Sequence, residues 1–151
     1  MKKFRYSMQS LLVIKQKLED QAKAAYGAAK LRLTEEEERL ADLQRQRESY
    51  VEDKRRVMAS RLDVPKLNRL QLAVEAMDDR IVRQRQNVKK AEAALRAAEE
   101  RLVESMTERK TQERLRENAF EAYRQEMNAE EQKEIDERTS FRYGVSEAEE
   151  A

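Results

Sequence analysis

Carboxylates are the most numerous groups in this sequence with any capacity for chemistry, and they come in runs: Glu35-Glu36-Glu37-Glu38, Asp78-Asp79 and Glu130-Glu131. Paired carboxylates serve as acid and base only where a concave, partly dry pocket drives their pKa values apart. Nothing in the pattern builds such a pocket, so the runs read as solvated helix faces. The chain has no His and no Cys. That removes the commonest general base, the commonest zinc ligand, every disulfide and every thiolate nucleophile. Gly27 and Gly144 stand alone, so no glycine-rich loop can cradle a phosphate. No catalytic site, metal site or cofactor is expected. The basic runs Arg45-Gln46-Arg47, Lys54-Arg55-Arg56 and Arg83-Gln84-Arg85 have acids within a turn of most of their members, and 32 Lys and Arg against 31 Asp and Glu leave a net charge of +1. Ion pairs on helix surfaces explain these runs better than nucleic-acid binding does.

The elements that carry these groups follow from what is missing. Of 151 residues only two are Gly and one is Pro, while 42% are charged and 5% aromatic. Chains so poor in turn formers and so rich in Ala, Glu, Lys, Leu and Arg form long helices or coiled coils. From Phe4, the positions Met8, Leu11, Lys15, Leu18, Ala22, Ala25 and Ala29 follow in steps of four and three, which predicts a helix seam. One added step of four to Leu33 predicts a stutter that locally unwinds the supercoil. The stripe resumes through Glu36, Leu40, Leu43, Arg47, Tyr50, Lys54 and Val57. Gly27, flanked by alanines, marks either a close helix approach or a tolerated surface glycine costing about 1 kcal/mol.

Pro65, preceded by Val64 and by Asp63 as a potential cap, ends one helix and starts another. The second helix carries the cleaner stripe, from Leu67 and Leu70 through Val74, Met77, Ile81 and Gln84 to Leu102. A second stutter to Met106 then leads through Arg109, Glu113 and Arg116 to Phe120, Tyr123 and Met127. The expected organisation is one coiled-coil hairpin over residues 1–151: helix 3–60, break 60–65, helix 66–137 and a flexible acidic tail 144–151. At ~1.5 Å per residue the two helices would span roughly 85 and 105 Å.

A break this short favours antiparallel pairing of the two helices. The fold class is therefore all-α, a long antiparallel two-helix coiled-coil hairpin, with pairing centred near residue 62. Phe4 and Met8 then lie beside residues 116–120, and six of the eight aromatics gather where the termini meet: Phe4, Tyr6, Phe120, Tyr123, Phe141 and Tyr143. They either close the fraying helix ends or anchor a partner. Residues 1–30 carry seven bases against two acids, and residues 130–151 eight acids against three bases. These charges attract if the ends meet and are solvated separately if they do not. No apolar stretch approaches the roughly 20 residues of a membrane span, so no membrane insertion is expected.

The opening Phe4-Arg5-Tyr6-Ser7-Met8-Gln9-Ser10-Leu11-Leu12, the two long helices and the closing Glu131-Gln132-Lys133-Glu134-Ile135-Asp136-Glu137 with Phe141-Arg142-Tyr143 resemble the flagellar export protein FliJ family across the whole chain. The resemblance implies a non-enzymatic stalk of the flagellar type III export apparatus. Its terminal end would enter a hexamer of the export ATPase FliI and promote ring assembly and hydrolysis, while the hairpin side would reach the export gate protein FlhA. Some members also engage export chaperones. Carried onto this chain, it assigns the ring end to Phe4, Tyr6, Met8, Gln9 and Leu11, with Phe120 and Tyr123 added by the pairing. For the gate, Tyr50, Val57, Met77 and the outer face of residues 67–84 are placed by position alone. The implied location is the cytoplasmic face of the inner membrane, bound peripherally. The competing expectation is a generic coiled-coil scaffold that dimerises through its seam.

Overall fold

Two helices account for almost all of the computed structural model, which describes residues 2–150: α1 (Gln9–Ala59) and α2 (Val64–Glu150). No strand occurs among the described residues. They pack as an antiparallel coiled-coil hairpin. The break is short, as Pro65 requires. Ser60 N–H still donates to Arg56 at 3.2 Å, and the Asp63 carboxylate caps α2 by accepting from the Lys66 backbone N–H at 3.2 Å.

Helix packing falls into two units. In the first, residues 2–19 lie along residues 105–127. Arg116 Nε donates to Gln9 Oε1 at 3.1 Å, and Lys15 Nζ meets Glu108 at 2.8 Å. In the second, Asp20–Glu104, Arg47 Nε meets Asp78 at 2.5 Å and Lys54 donates to Gln71. Each pair sits nearly symmetrically about residue 62, the register expected from the sequence. The interior is thin. Its buried apolar members in the second unit are Val57, Val74, Met77, Ile81 and Ala91, with Leu12 in the first.

The α2 seam from Leu67 to Leu102 lies where the stripe predicted it, every member buried or half-buried. Past Leu102 the seam widens, so that Ser105 and Met106, then Gln112 and Glu113, share the half-buried face. On α1 the expectation needs correction. The covered residues are Leu12, Lys15, Glu19, Ala22, Tyr26, Ala29 and Leu33, continuing through Glu36 to Val57 in unbroken steps of three and four. The expected stutter is absent. Met8, Leu18 and Ala25 are exposed, displaced from the seam by Leu12, Glu19 and Tyr26. The reason is electrostatic: Glu19 takes a place that hydrophobicity alone gives to Leu18 because Arg109 of α2 waits opposite.

Both helix ends also differ from expectation. Helix begins at Gln9, not residue 3: residues 2–6 are non-helical, and from Lys3 to Tyr6 exposed and covered residues alternate, with Phe4 and Tyr6 half-buried. In extended chain, residues two apart share a face, so both aromatics reach α2, which a helix would forbid. At the other end, α2 passes residue 137 and Gly144 to Glu150 where a flexible tail was expected; Ala151 lies outside the described residues. Glu, Ala and Arg are strong helix formers, and a single glycine opposes them by only about 1 kcal/mol. Gly27 proves to be a surface glycine: an added Cβ would meet nothing within 4 Å.

Candidate functional site

The terminal end is assembled by the extended segment before α1 and by the α2 face opposite it. Phe4 sits edge-on to Phe120, with ring centroids 5.1 Å apart and planes at 79°, and 5.4 Å from Tyr123. The Arg116 guanidinium lies over the Phe4 ring, 5.7 Å from its centroid. Tyr123 donates its hydroxyl hydrogen to the Lys2 carbonyl, and Tyr6 donates to Gln112 Oε1 at 3.3 Å. These bonds peg the segment to α2 at Lys2 and at Tyr6. The cluster is only half closed. Phe120 remains 45% exposed and Met8 42%. Beside it runs an open groove of about 500 Å³ between residues 2–7 and the face of α2 that carries Ala119, Tyr123 and Met127.

Of the seven residues assigned to this end, Phe4, Phe120 and Tyr123 therefore meet directly. Tyr6 and Gln9 bond to neighbouring turns of α2, Leu11 is half-buried, and Met8 faces solvent. Four aromatics gather here, not six. Phe141 and Tyr143 lie on the part of α2 beyond Met127, where every residue from 128 to 150 is exposed. A helix of 1.5 Å rise carries them well past the end of α1.

Beneath the aromatics, charges hold the two chain segments in register. Arg109 bonds Glu19 from the facing helix and Glu113 of its own helix, the latter at 2.9 Å. Its hydrogen bonds to Glu19, then to Glu113, raise its pKa above the ordinary arginine value, against a smaller opposing effect of burial. A raised cation pKa adds stability that is lost only as pH climbs past it, so this pair holds throughout the neutral range. Sequence reasoning placed Arg109 in the stripe but missed Glu19. The signal was present: an acid at seam phase, opposite an arginine in the predicted register.

The residues assigned to the gate fare differently. Val57 and Met77 are buried in the second unit's seam and Tyr50 is half-buried. Buried seam residues position helices and offer no contact surface, which corrects their placement at an interface. The outer face of residues 67–84 instead exposes Leu72 and Val82.

Among the described residues, no group of three or more acids could hold a metal ion, and no buried side-chain polar atom lacks a hydrogen bond. No helix among them is long and apolar enough to cross a membrane.

Comparison with known proteins adds two findings. The family model described as Flagellar FliJ protein matches residues 4–148. A solved structure of a YscO homologue, CT670 from Chlamydia trachomatis, is similar in fold, with a TM-score of 0.76 and 18% identity over 96% of this chain and 98% of that one. Among curated proteins no match was found.

Proposed function

Because the chain belongs to the flagellar FliJ protein family, and is thereby a component of a type III export apparatus, we propose that it is the stalk of the export ATPase. In this reading its terminal end seats in the ring of a FliI hexamer and promotes ring assembly and hydrolysis. The observation that carries the reading is the half-open aromatic cluster of Phe4, Phe120 and Tyr123. Core closure alone would hide these rings, whereas an end that inserts into another protein keeps anchor side chains partly exposed. Met8 supplies a further exposed apolar group, and Lys3 and Arg5 supply charge beside it.

The same reading gives the chain no turnover of its own. It binds peripherally at the cytoplasmic face of the inner membrane, where the export gate FlhA meets the exposed Leu72 and Val82 on the outer face of residues 67–84. Export chaperones are additional partners. The competing scaffold reading needs a free seam where the two helices face each other, and up to Met127 that seam is already filled from within the chain.

The test is direct. Purified protein added to the cognate export ATPase is expected to raise both the hexamer fraction and the hydrolysis rate. Unchanged hexamer content and rate at saturating protein would overturn the reading.

A further inference from the structure

The α2 seam does not stop where its cover stops. From Phe120 and Tyr123 the same face continues through Met127, Glu131, Glu134, Arg138, Phe141 and Val145 in steps of three and four. Beyond Met127 nothing covers it. Phe141 is 73% exposed, with Ile135 and Val145 exposed on neighbouring turns.

Charge says what fits this face. Residues 128–150 hold eight acids against three bases, while residues 2–18 of the same unit hold five bases and no acid. The start of α1 also leaves Ile14 and Leu18 exposed one turn apart, on a face not used by its own seam. The two surfaces complement each other, but α2 runs on as one helix past the end of α1 and cannot bring them together within one chain.

We propose that the acidic extension of α2 docks on the basic start of α1 in a second copy of this chain, forming a twofold dimer in which each copy gives and receives one extension. Each extension then runs parallel to α1 of the other copy, and Phe141 comes level with Leu18 of that copy. The arrangement adds a third helix to each two-helix end. Pairing the two extensions with each other instead would set acid against acid. A helix of 23 residues is about 34 Å long. Two such contacts, each along a whole extension, give the interface the length over which a specific pairing is set. The dimer also covers the terminal end, so it competes with any ring that engages that end.

The full chain is to be followed by sedimentation velocity between about 1 and 200 µM, in about 50 and 500 mM salt. The expected result is a dimer that grows with concentration and weakens at high salt. Phe141→Glu, and separately Ile14→Glu with Leu18→Glu, are each expected to weaken it by at least about tenfold while circular dichroism stays unchanged. A mixture of Leu18→Cys and Phe141→Cys chains is expected to cross-link between copies on oxidation. A monomer under all conditions, or a dimer indifferent to both sets of variants, would overturn the proposal. Because no ATPase is present, neither outcome depends on the stalk reading.

Discussion

Replacing Phe4 and Met8 together by alanine is expected to remove most of the stimulation of the export ATPase while leaving both helices intact. Both residues precede Gln9, the first residue of α1, so the change shortens neither helix. What it removes is the edge-on contact with Phe120, the contact with Tyr123 and one exposed apolar group. Aromatic anchors at interfaces contribute about 2 kcal/mol or more, so the concentration of protein needed for half-maximal stimulation should rise by roughly 30-fold. Unaltered circular dichroism together with lost stimulation is the predicted pair of results. Retained stimulation would move the ring contact away from this end.

The second large effect concerns the polar centre of the other unit. Glu36 is the most enclosed side chain among the described residues, at 2% exposure. Gln84 Nε2 donates to the Glu36 backbone carbonyl at 2.9 Å and to its carboxylate at 2.5 Å, and Arg32 and Arg39 close on the same carboxylate at 3.0 and 3.1 Å. Gln84→Leu leaves that buried carboxylate short of a partner and is expected to cost about 2–3 kcal/mol in urea unfolding. Glu36→Leu with Gln84→Leu removes both polar groups and is expected to recover at least the original stability, because a leucine pair fills a seam without any desolvation penalty. The polar pair then contributes registry, since it is satisfied at one alignment only while leucines pack at several. A double variant as unstable as the single one would contradict this account.

How far the sequence revealed this molecule depends on which physical signal dominated at each point. Where apolar residues held the seam, as from Leu67 to Leu102, periodicity alone located the covered face residue by residue. Near the start of α1 the seam was filled by Glu19 and Tyr26, and a stripe chosen for hydrophobicity slid onto Leu18 and Ala25. The slip also produced a stutter between Ala29 and Leu33 that the helix does not have. Recognition of the Glu19–Arg109 pair requires both helices to be read together, because a charged residue enters a seam only with its partner in register.

The terminal site was legible in its core and not at its margins. Symmetry about residue 62 brought Phe4 to Phe120, but the alternation of Phe4 and Tyr6 is a period of two, which a helical reading overrides. Phe141 and Tyr143 were misplaced because the length of α2 beyond its cover was underestimated. Charge and helix propensity do not mark where a partner helix ends. Val57 and Met77 were assigned to an interface from their position along the chain, although their own stripe phase already pointed them inward.

The claim on which the functional account rests is that the end carrying Phe4 and Phe120 is the one that meets the ATPase ring. Photo-crosslinkers placed at Met8, and in a second chain at Leu62 in the exposed break between the helices, measure this directly in the assembled complex with the cognate export ATPase. The account predicts adducts with the ATPase from Met8 and none from Leu62. Adducts from Leu62 with none from Met8 would contradict it.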